Sequence, residues 1–181
     1  MSTDTTTQTE TYAIDATHST VEFVVRHLMI SKVRGRFATV AGTITTAAGN
    51  DVPVAVDVTI EAKSVDTREG QRDDHLRSAD FLHSDDHPHL TYKSTRIEGT
   101  PGSFKVYGNL TLRGTTREVV LDGTFEGRGA DPWGNQRIGY SAHTTINRSE
   151  FGVSFNQALE TGGFVVSDEV KIELNVEGIR Q

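Results

Sequence analysis

The stretch from Phe104 to Phe125, FKVYGNLTLRGTTREVVLDGTF, alternates apolar and polar residues along both of its arms. Phe104, Val106, Gly108, Leu110 and Leu112 share one face, and after a break at Gly114, Thr115 and Thr116 the alternation resumes through Val119, Leu121, Gly123 and Phe125. Alternation of this kind belongs to a pleated strand with one apolar side, so the sequence predicts a long-armed antiparallel hairpin. Its Thr, Val, Tyr and Phe residues suit such a surface. Gly108 and Gly123 offer the apolar face no side chain, so they either mark bulges or leave interior room for something else.

The same pattern recurs along the chain. Val21, Phe23, Val25 and His27 share a face opposite Glu22 and Arg26; LMISKVRGR then interrupts the period, and a second strand is expected from about Phe37 to Thr46. Pro53 opens a third strand that carries Val54, Val56, Val58 and Ile60. Further strands are expected at about 89–98, through Ile138, Tyr140, Ala142, Thr144 and Ile146, and from Val165 to Glu177, with a loop or single helical turn from Ser149 to Gln157. TREGQRDDHLRSADFL, from Thr67 to Leu82, breaks the rhythm. It predicts a short helical insertion around residues 68–82, capped by Thr67 and later by Ser78 or Asp80, carrying an Asp73 to Arg77 pair and stopped by Pro88. About eight long strands without a βαβ rhythm indicate an all-β fold, a single closed antiparallel barrel or a sandwich, and closure removes exposed edges. Residues 1–10 are expected to form a disordered tail, with order from Tyr12 and the domain spanning 11–181.

The 181 residues suit one domain. Eighteen Lys and Arg against 25 Asp and Glu leave a net charge of −7, which disfavours nucleic acid and an electrostatic membrane dock. There is no cysteine, so disulfides and thiolate chemistry are excluded. No secretory signal and no stretch of membrane-helix length is visible, and the expected location is the cytoplasm unless an export signal was trimmed.

Five separated motifs, in the stretches from Tyr12 to Phe37, Asp73 to Thr91, Gly108 to Gly114, Ile146 to Gly152 and Ser167 to Ile172, resemble the YceI-like family of polyisoprenoid-binding proteins. Tyr12, Ile14, Asp15, His18, Ser19, Val21, Phe23, Val25 and His27, then Val33, Gly35 and Phe37, are similar to its opening. Asp73, His75, Leu76, Arg77, Ser78, Asp80, Phe81, Pro88, Leu90 and Thr91 resemble its insertion. Gly108, Leu110, Thr111, Leu112 and Gly114 look like its hairpin, Ile146, Arg148, Phe151 and Gly152 like its strand end, and Ser167, Asp168, Val170 and Ile172 like its closing strand. The resemblance implies a lipocalin-like barrel whose cavity takes a long apolar chain, such as a polyisoprenoid, an isoprenoid quinone or a fatty-acid derivative, with no established catalysis. His83 and His89 depart from the family, which more often has an acidic or polar residue there, and many members are exported.

On that basis Phe23, Val25, Phe37, Val58, Leu110, Leu112, Phe125, Tyr140 and Ile146 are expected to line a tunnel, with Leu76 and Phe81 closing one mouth and His27, Arg148 and Tyr140 orienting a head group. Small side chains at Ala41, Gly108, Gly123 and Ala142 argue against a filled core. Each buried CH₂ contributes ~0.8 kcal/mol, so two or three isoprene units supply roughly 8 to 12 kcal/mol before ordering costs. The loop His83, Asp85, Asp86, His87 and His89 carries zinc- or nickel-type ligands without a metal-site spacing, and a solvated loop is the simpler reading. Glu150 with His18 or His27 is a conceivable acid/base pair, but no nucleophile elbow or phosphate loop is present. The expected protein is therefore a lipid carrier, not an enzyme, with no cofactor; a metal-dependent enzyme using the His83 to His89 loop and a ligand-free interaction module are the alternatives. Open strands near the termini would suit a homodimer.

Overall fold

The computed structural model describes residues 6–160 and 162–181. The strands are β1 (Thr9–Ile14), β2 (Thr20–His27), β3 (Ser31–Phe37), β4 (Val40–Ala47), β5 (Pro53–Glu61), β6 (Val65–Asp66), β7 (His89–Thr100), β8 (Ser103–Leu112), β9 (Thr115–Ala130), β10 (Gln136–Asn147) and β11 (Glu169–Arg180), with one α-helix, α1 (Gly70–Arg77), before β7. Eight of the strands close a ring in the order β1-β4-β5-β7-β8-β9-β10-β11, because β1 pairs with both β4 and β11. Every pairing in it is antiparallel. The expected closed barrel is thus the observed one. Among the described residues no helix is long and apolar enough to cross a membrane.

The remaining strands arise because the first two long strands are broken. A single-turn 3-10 segment at Ala16–His18 separates β1 from β2, and the chain bends again between Phe37 and Val40. Along one edge of β11, β1 covers Gly178 to Arg180 and β2 covers Lys171 to Asn175. β2 carries β3 with it, and β3 in turn pairs with β6 through Arg36 and Phe37 alone. LMISKVRGR is therefore not an interruption throughout, since Ser31 to Phe37 is strand and only Leu28 to Ile30 form the loop.

Glycine explains why that segment hides its apolar face. Gly35 lies opposite Phe23, and a Cβ there would come within 2.3 Å of the Phe23 ring. Gly123 stands in the same relation to Phe104, also at 2.3 Å, while Gly108, opposite Ser94, is reached diagonally by the Tyr92 ring, at 2.5 Å. In all three places an aromatic ring from the adjacent strand covers the glycine, so Gly108 and Gly123 neither mark bulges nor hold space for a guest. The bulges lie nearby, at Thr95 and at Glu126. Gly123→Ala should overpack this contact and cost ~1–3 kcal/mol, a fall of roughly 2 to 12 °C in melting temperature. Gly129→Ala, with nothing within 4 Å of the new methyl, should leave the melt almost unchanged in the same calorimetric scan.

The hairpin turn is tighter than the sequence suggests. Leu112 pairs with Thr115, and Arg113 and Gly114 form a two-residue turn with φ of 49° and 72°. Paired left-handed residues match the twist of the flanking strands, so Thr115 and Thr116 belong to β9. The Arg113 Nη1 donates to the carbonyls of Ala79 (2.6 Å) and Phe81 (2.8 Å), which fixes the hairpin end to the insertion.

Other expectations change in detail. Glu69, not Thr67, caps α1, accepting from the amides of Gln71 and Arg72. Asp73 is buried and turns back to accept from the Thr67 amide and hydroxyl, leaving Arg77 to pair with Asp74. β1 begins at Thr9, inside the expected tail, because Thr9 to Ala13 pair with Thr43 to Ala47; residues 1–5 lie outside the described residues. The last strand is displaced to Glu169–Arg180, since Val166 bridges to His27 instead. Both terminal strands are paired on each side, which removes the open edge that a homodimer was expected to use.

Candidate functional site

The barrel encloses a cavity of about 740 Å³. Inward positions on β2, β3 and β5 carry Val21, Val25, Val33, Val56 and Val58, short β-branched groups that suit a strand yet stop short of the barrel axis. On the far wall Ala142 and Thr144 are smaller still. The space comes from these residues, not from Gly108 or Gly123, and Ala41 faces solvent.

Of the residues expected to line a tunnel, Phe23, Val25, Phe37, Val58, Leu110, Leu112, Tyr140 and Ile146 do so, together with His27, Leu76, Phe81 and Arg148. Phe125 does not. It lies opposite Tyr140, beside the bulge at Glu126, and packs on that ring at 5.8 Å between centroids. Tyr92, Phe104, Val119, Leu121 and Leu174 line the cavity as well. Strand alternation identifies the last four as inward, whereas nothing in the sequence marks Phe155 and Val165, which reach the cavity from an irregular loop.

The polar residues divide into those with structural partners and those at the rim. Arg148 is 4% exposed. Its Nε donates to the Ser167 carbonyl, Nη1 to those of Val153 and Phe155, and Nη2 to that of Val166, with the Asp168 carboxylate 3.6 Å away. Burial pulls the guanidinium below its ordinary pKa while Asp168 opposes the shift. With four of its five N–H groups bonded to main-chain carbonyls and the Asp168 carboxylate beside Nη2, Arg148 is a clamp for residues 153–168 and is not set to orient a head group, contrary to expectation. Tyr140 is engaged too: its hydroxyl donates to the Asp51 carbonyl at 2.7 Å, and burial pushes its phenol pKa up.

At the α1 end, the rim is formed by Arg26 and His27 from β2, Arg72, His75 and Leu76 from α1, and Phe155, Gln157, Val165 and Val166 from the loop. His75 contacts the edges of Phe81 (4.9 Å) and Phe155 (5.0 Å), and Phe81 and Phe155 touch at 5.3 Å, so three rings partly cover this end. Arg72 donates Nε to the Thr67 hydroxyl and Nη2 to the Thr67 carbonyl. Among the described residues no carboxylate pairs with Arg72 or Arg26. The sequence reading missed Arg72 because only the fold turns this helical position toward the barrel mouth. An apolar chain in the barrel would place its polar end against these cations.

Among the described residues, the His83 to His89 loop does not bring three potential metal ligands together. His83 pairs with Asp86 at 3.2 Å and stacks edge-on with His87, while Asp85 pairs with Lys63. The grouping of three potential ligands found among the described residues is instead Asp15, His18 and Glu177. It already holds a cation: Arg137 Nη1 lies 2.8 Å from both Asp15 and Glu177, and its Nε lies 2.8 Å from Asp131. Hydrogen bonds from Arg137 and then His18 hold the Asp15 carboxyl well below the usual carboxylate range. This network ties the β1–β2 break to β10 and β11. His18 is bonded to Asp15, and the Glu150 carbonyl receives Arg117, so neither contact supports the acid/base pair with Glu150.

Comparison with known proteins gives the same fold and a consistent lineage. The UPF0312 protein of Pectobacterium carotovorum is 39% identical over 164 residues, covering 91% of this chain and 82% of that protein. Burkholderia cenocepacia BcnA superposes with a TM-score of 0.77 at 23% identity, over 91% of this chain and 98% of that one. A polyisoprenoid-binding domain from Saccharophagus degradans superposes with a TM-score of 0.66 at 17% identity, over 94% and 98% of the two chains. The YceI-like domain model matches residues 12–178, all of the barrel from Tyr12 to the end of β11 but its last residues, and the chain belongs to that family.

Proposed function

We propose that the protein binds one amphiphilic lipid, a polyisoprenoid or isoprenoid quinone, with its apolar chain inside the barrel, and that it acts by sequestering or carrying this lipid without catalysis. The observation that carries the reading is the 740 Å³ cavity whose walls are almost wholly apolar and at one rim of which stand Arg26 and Arg72, cations with no carboxylate partner among the described residues. At ~30 Å³ for each water-sized group, the cavity has room for roughly two dozen heavy atoms, or about five isoprene units. A chain that fills it contributes ~20 kcal/mol at ~0.8 kcal/mol per CH₂, which outweighs an association cost of ~4–15 kcal/mol. The Saccharophagus domain supports the choice of ligand only through a shared fold, because its sequence identity is low.

A head group that accepts hydrogen bonds, such as a phosphate, carboxylate or quinone oxygen, suits Arg26 and Arg72. The test is to purify the protein without detergent, extract it with organic solvent and identify the extract by mass spectrometry. Close to one isoprenoid lipid per chain is the expected result. A protein that yields no lipid, and takes up none when a polyprenyl phosphate is added back, would leave the reading without support.

A further inference from the structure

The loop between β2 and β3 is poorly explained as a turn. Leu28 and Met29 both adopt left-handed backbone conformations, with φ of 54° and 59°, where Asn, Asp or Gly is favoured and a bulky side chain is strained. The side chains held there do not contribute to a core: Met29 is 67% exposed and Ile30 is 80% exposed. Phe164, 56% exposed, lies on the facing loop, which the hairpin meets through the Leu28 amide bonded to the Val165 carbonyl and through Met29 against Gly163. Phe155, also exposed, continues this apolar surface into the cavity wall. Beyond Val24 the hairpin no longer pairs with β11 and is held instead by the 163–167 loop, through the His27 to Val166 bridge and the Leu28 amide, so that only its tip projects.

Charge identifies what this tip meets. The chain as a whole is acidic, yet residues 26–36, RHLMISKVRGR, hold four cations and no acid. Arg34 is paired with Glu22 and Glu173, and Arg36 with Asp66. Arg26 and Lys32, which flank the apolar tip, have no carboxylate partner among the described residues. The acids on the facing loop are Glu160 and Asp168, both exposed, and Asp168 lies 3.6 Å from Arg148. An apolar protrusion framed by free cations, at the mouth of an apolar cavity, matches a bilayer surface with anionic head groups better than it matches water. The net charge of −7 argued against such a dock only while the charge was treated as evenly spread.

We propose that the β2–β3 tip, with Met29 and Ile30 flanked by Arg26 and Lys32, docks the protein on an anionic phospholipid bilayer, so that the cavity mouth faces the membrane when lipid enters or leaves. This rests on the lipid-binding reading of the cavity. The tip inserts Met29, Ile30 and Phe164 among the head groups, the two cations meet lipid phosphates, and a chain passes to the barrel beside Phe155 without crossing bulk water.

The test is co-sedimentation of the full chain with vesicles of phosphatidylcholine alone or mixed equally with phosphatidylglycerol. Wild type should partition at least about 10-fold more strongly onto the anionic vesicles, an advantage that 0.5 M salt should largely abolish, as expected when roughly 5-fold in affinity comes from each cation near the surface. Met29→Ser with Ile30→Ser should lower binding about 10-fold or more, and Lys32→Glu should lower it by at least about 5-fold on anionic vesicles alone. Uptake of parinaric acid, a fluorescent polyene fatty acid, should stay within about twofold of wild type in both variants, which also shows that they are folded. Equal sedimentation of wild type with both vesicles, or of variant and wild type with anionic vesicles, overturns the proposal. It also falls if the serine pair converts a dimer to a monomer without changing sedimentation, because the tip is then a contact between copies. Vesicle binding by a protein that takes up no parinaric acid supports the dock and sinks the cavity reading.

Discussion

Arg148→Met is expected to lower the melting temperature by roughly 6 to 20 °C, the largest loss of stability from any single polar substitution proposed here. The side chain is almost fully buried, and its guanidinium binds the carbonyls of Val153, Phe155, Val166 and Ser167. Methionine matches much of the volume and none of the donors. Four acceptors lose their partner, and removing one side of such a buried charged network costs ~3–5 kcal/mol. The clamped carbonyls lie on both legs of the loop that brings Phe155 and Val165 to the cavity, so uptake of parinaric acid should weaken as well. Lysine should recover only part of the loss, because an ammonium has three donors and cannot reproduce the planar fork. Circular dichroism melts of the three proteins give the comparison. A methionine variant as stable as wild type would mean that the loop is held by something other than Arg148.

The second large effect is on binding. Ala142 lies on β10 with its methyl group in the cavity wall, opposite Gly123 on one side and Leu174 on the other. Ala142→Trp should place an indole across the open axis and displace part of any chain there. Losing about four buried methylenes costs ~3 kcal/mol, which raises the dissociation constant for parinaric acid roughly 100-fold. The same ring gains apolar burial in previously empty space, so the melting temperature should hold or rise. Opposite movement of affinity and stability is the signature of a real cavity. In a packed core the tryptophan would instead destabilise the fold, by ~1–3 kcal/mol or more.

Strands with one buried face could be read from the chain because burial imposes alternation directly, as in Val106, Leu110, Val119 and Leu121. The breaks between β1 and β2 and between β3 and β4 could not, because they are set by which partner each half finds on β11, β4 and β6. The glycines were visible but their role was not, since Phe104 and Tyr92, the rings that cover Gly123 and Gly108, come from other positions in the sheet. Arg148 was singled out for its charge, yet its acceptors are main-chain carbonyls, which no side-chain pattern displays. Phe125 failed as a lining residue because its ring packs against that of Tyr140, a contact set only by the folded pairing of β9 with β10. Residues that share an apolar face with the predicted ones still tell nothing about volume, which depends on how far the valines of β2, β3 and β5 reach.

The most direct test is methyl NMR of the protein with a fatty acid carrying a nitroxide near its chain end. A chain lying inside the barrel should broaden the methyl signals of Val106, Leu121 and Leu174, and spare those of the exposed Val54. Broadening confined to outward methyls, or none at equimolar ligand, would contradict an interior binding site.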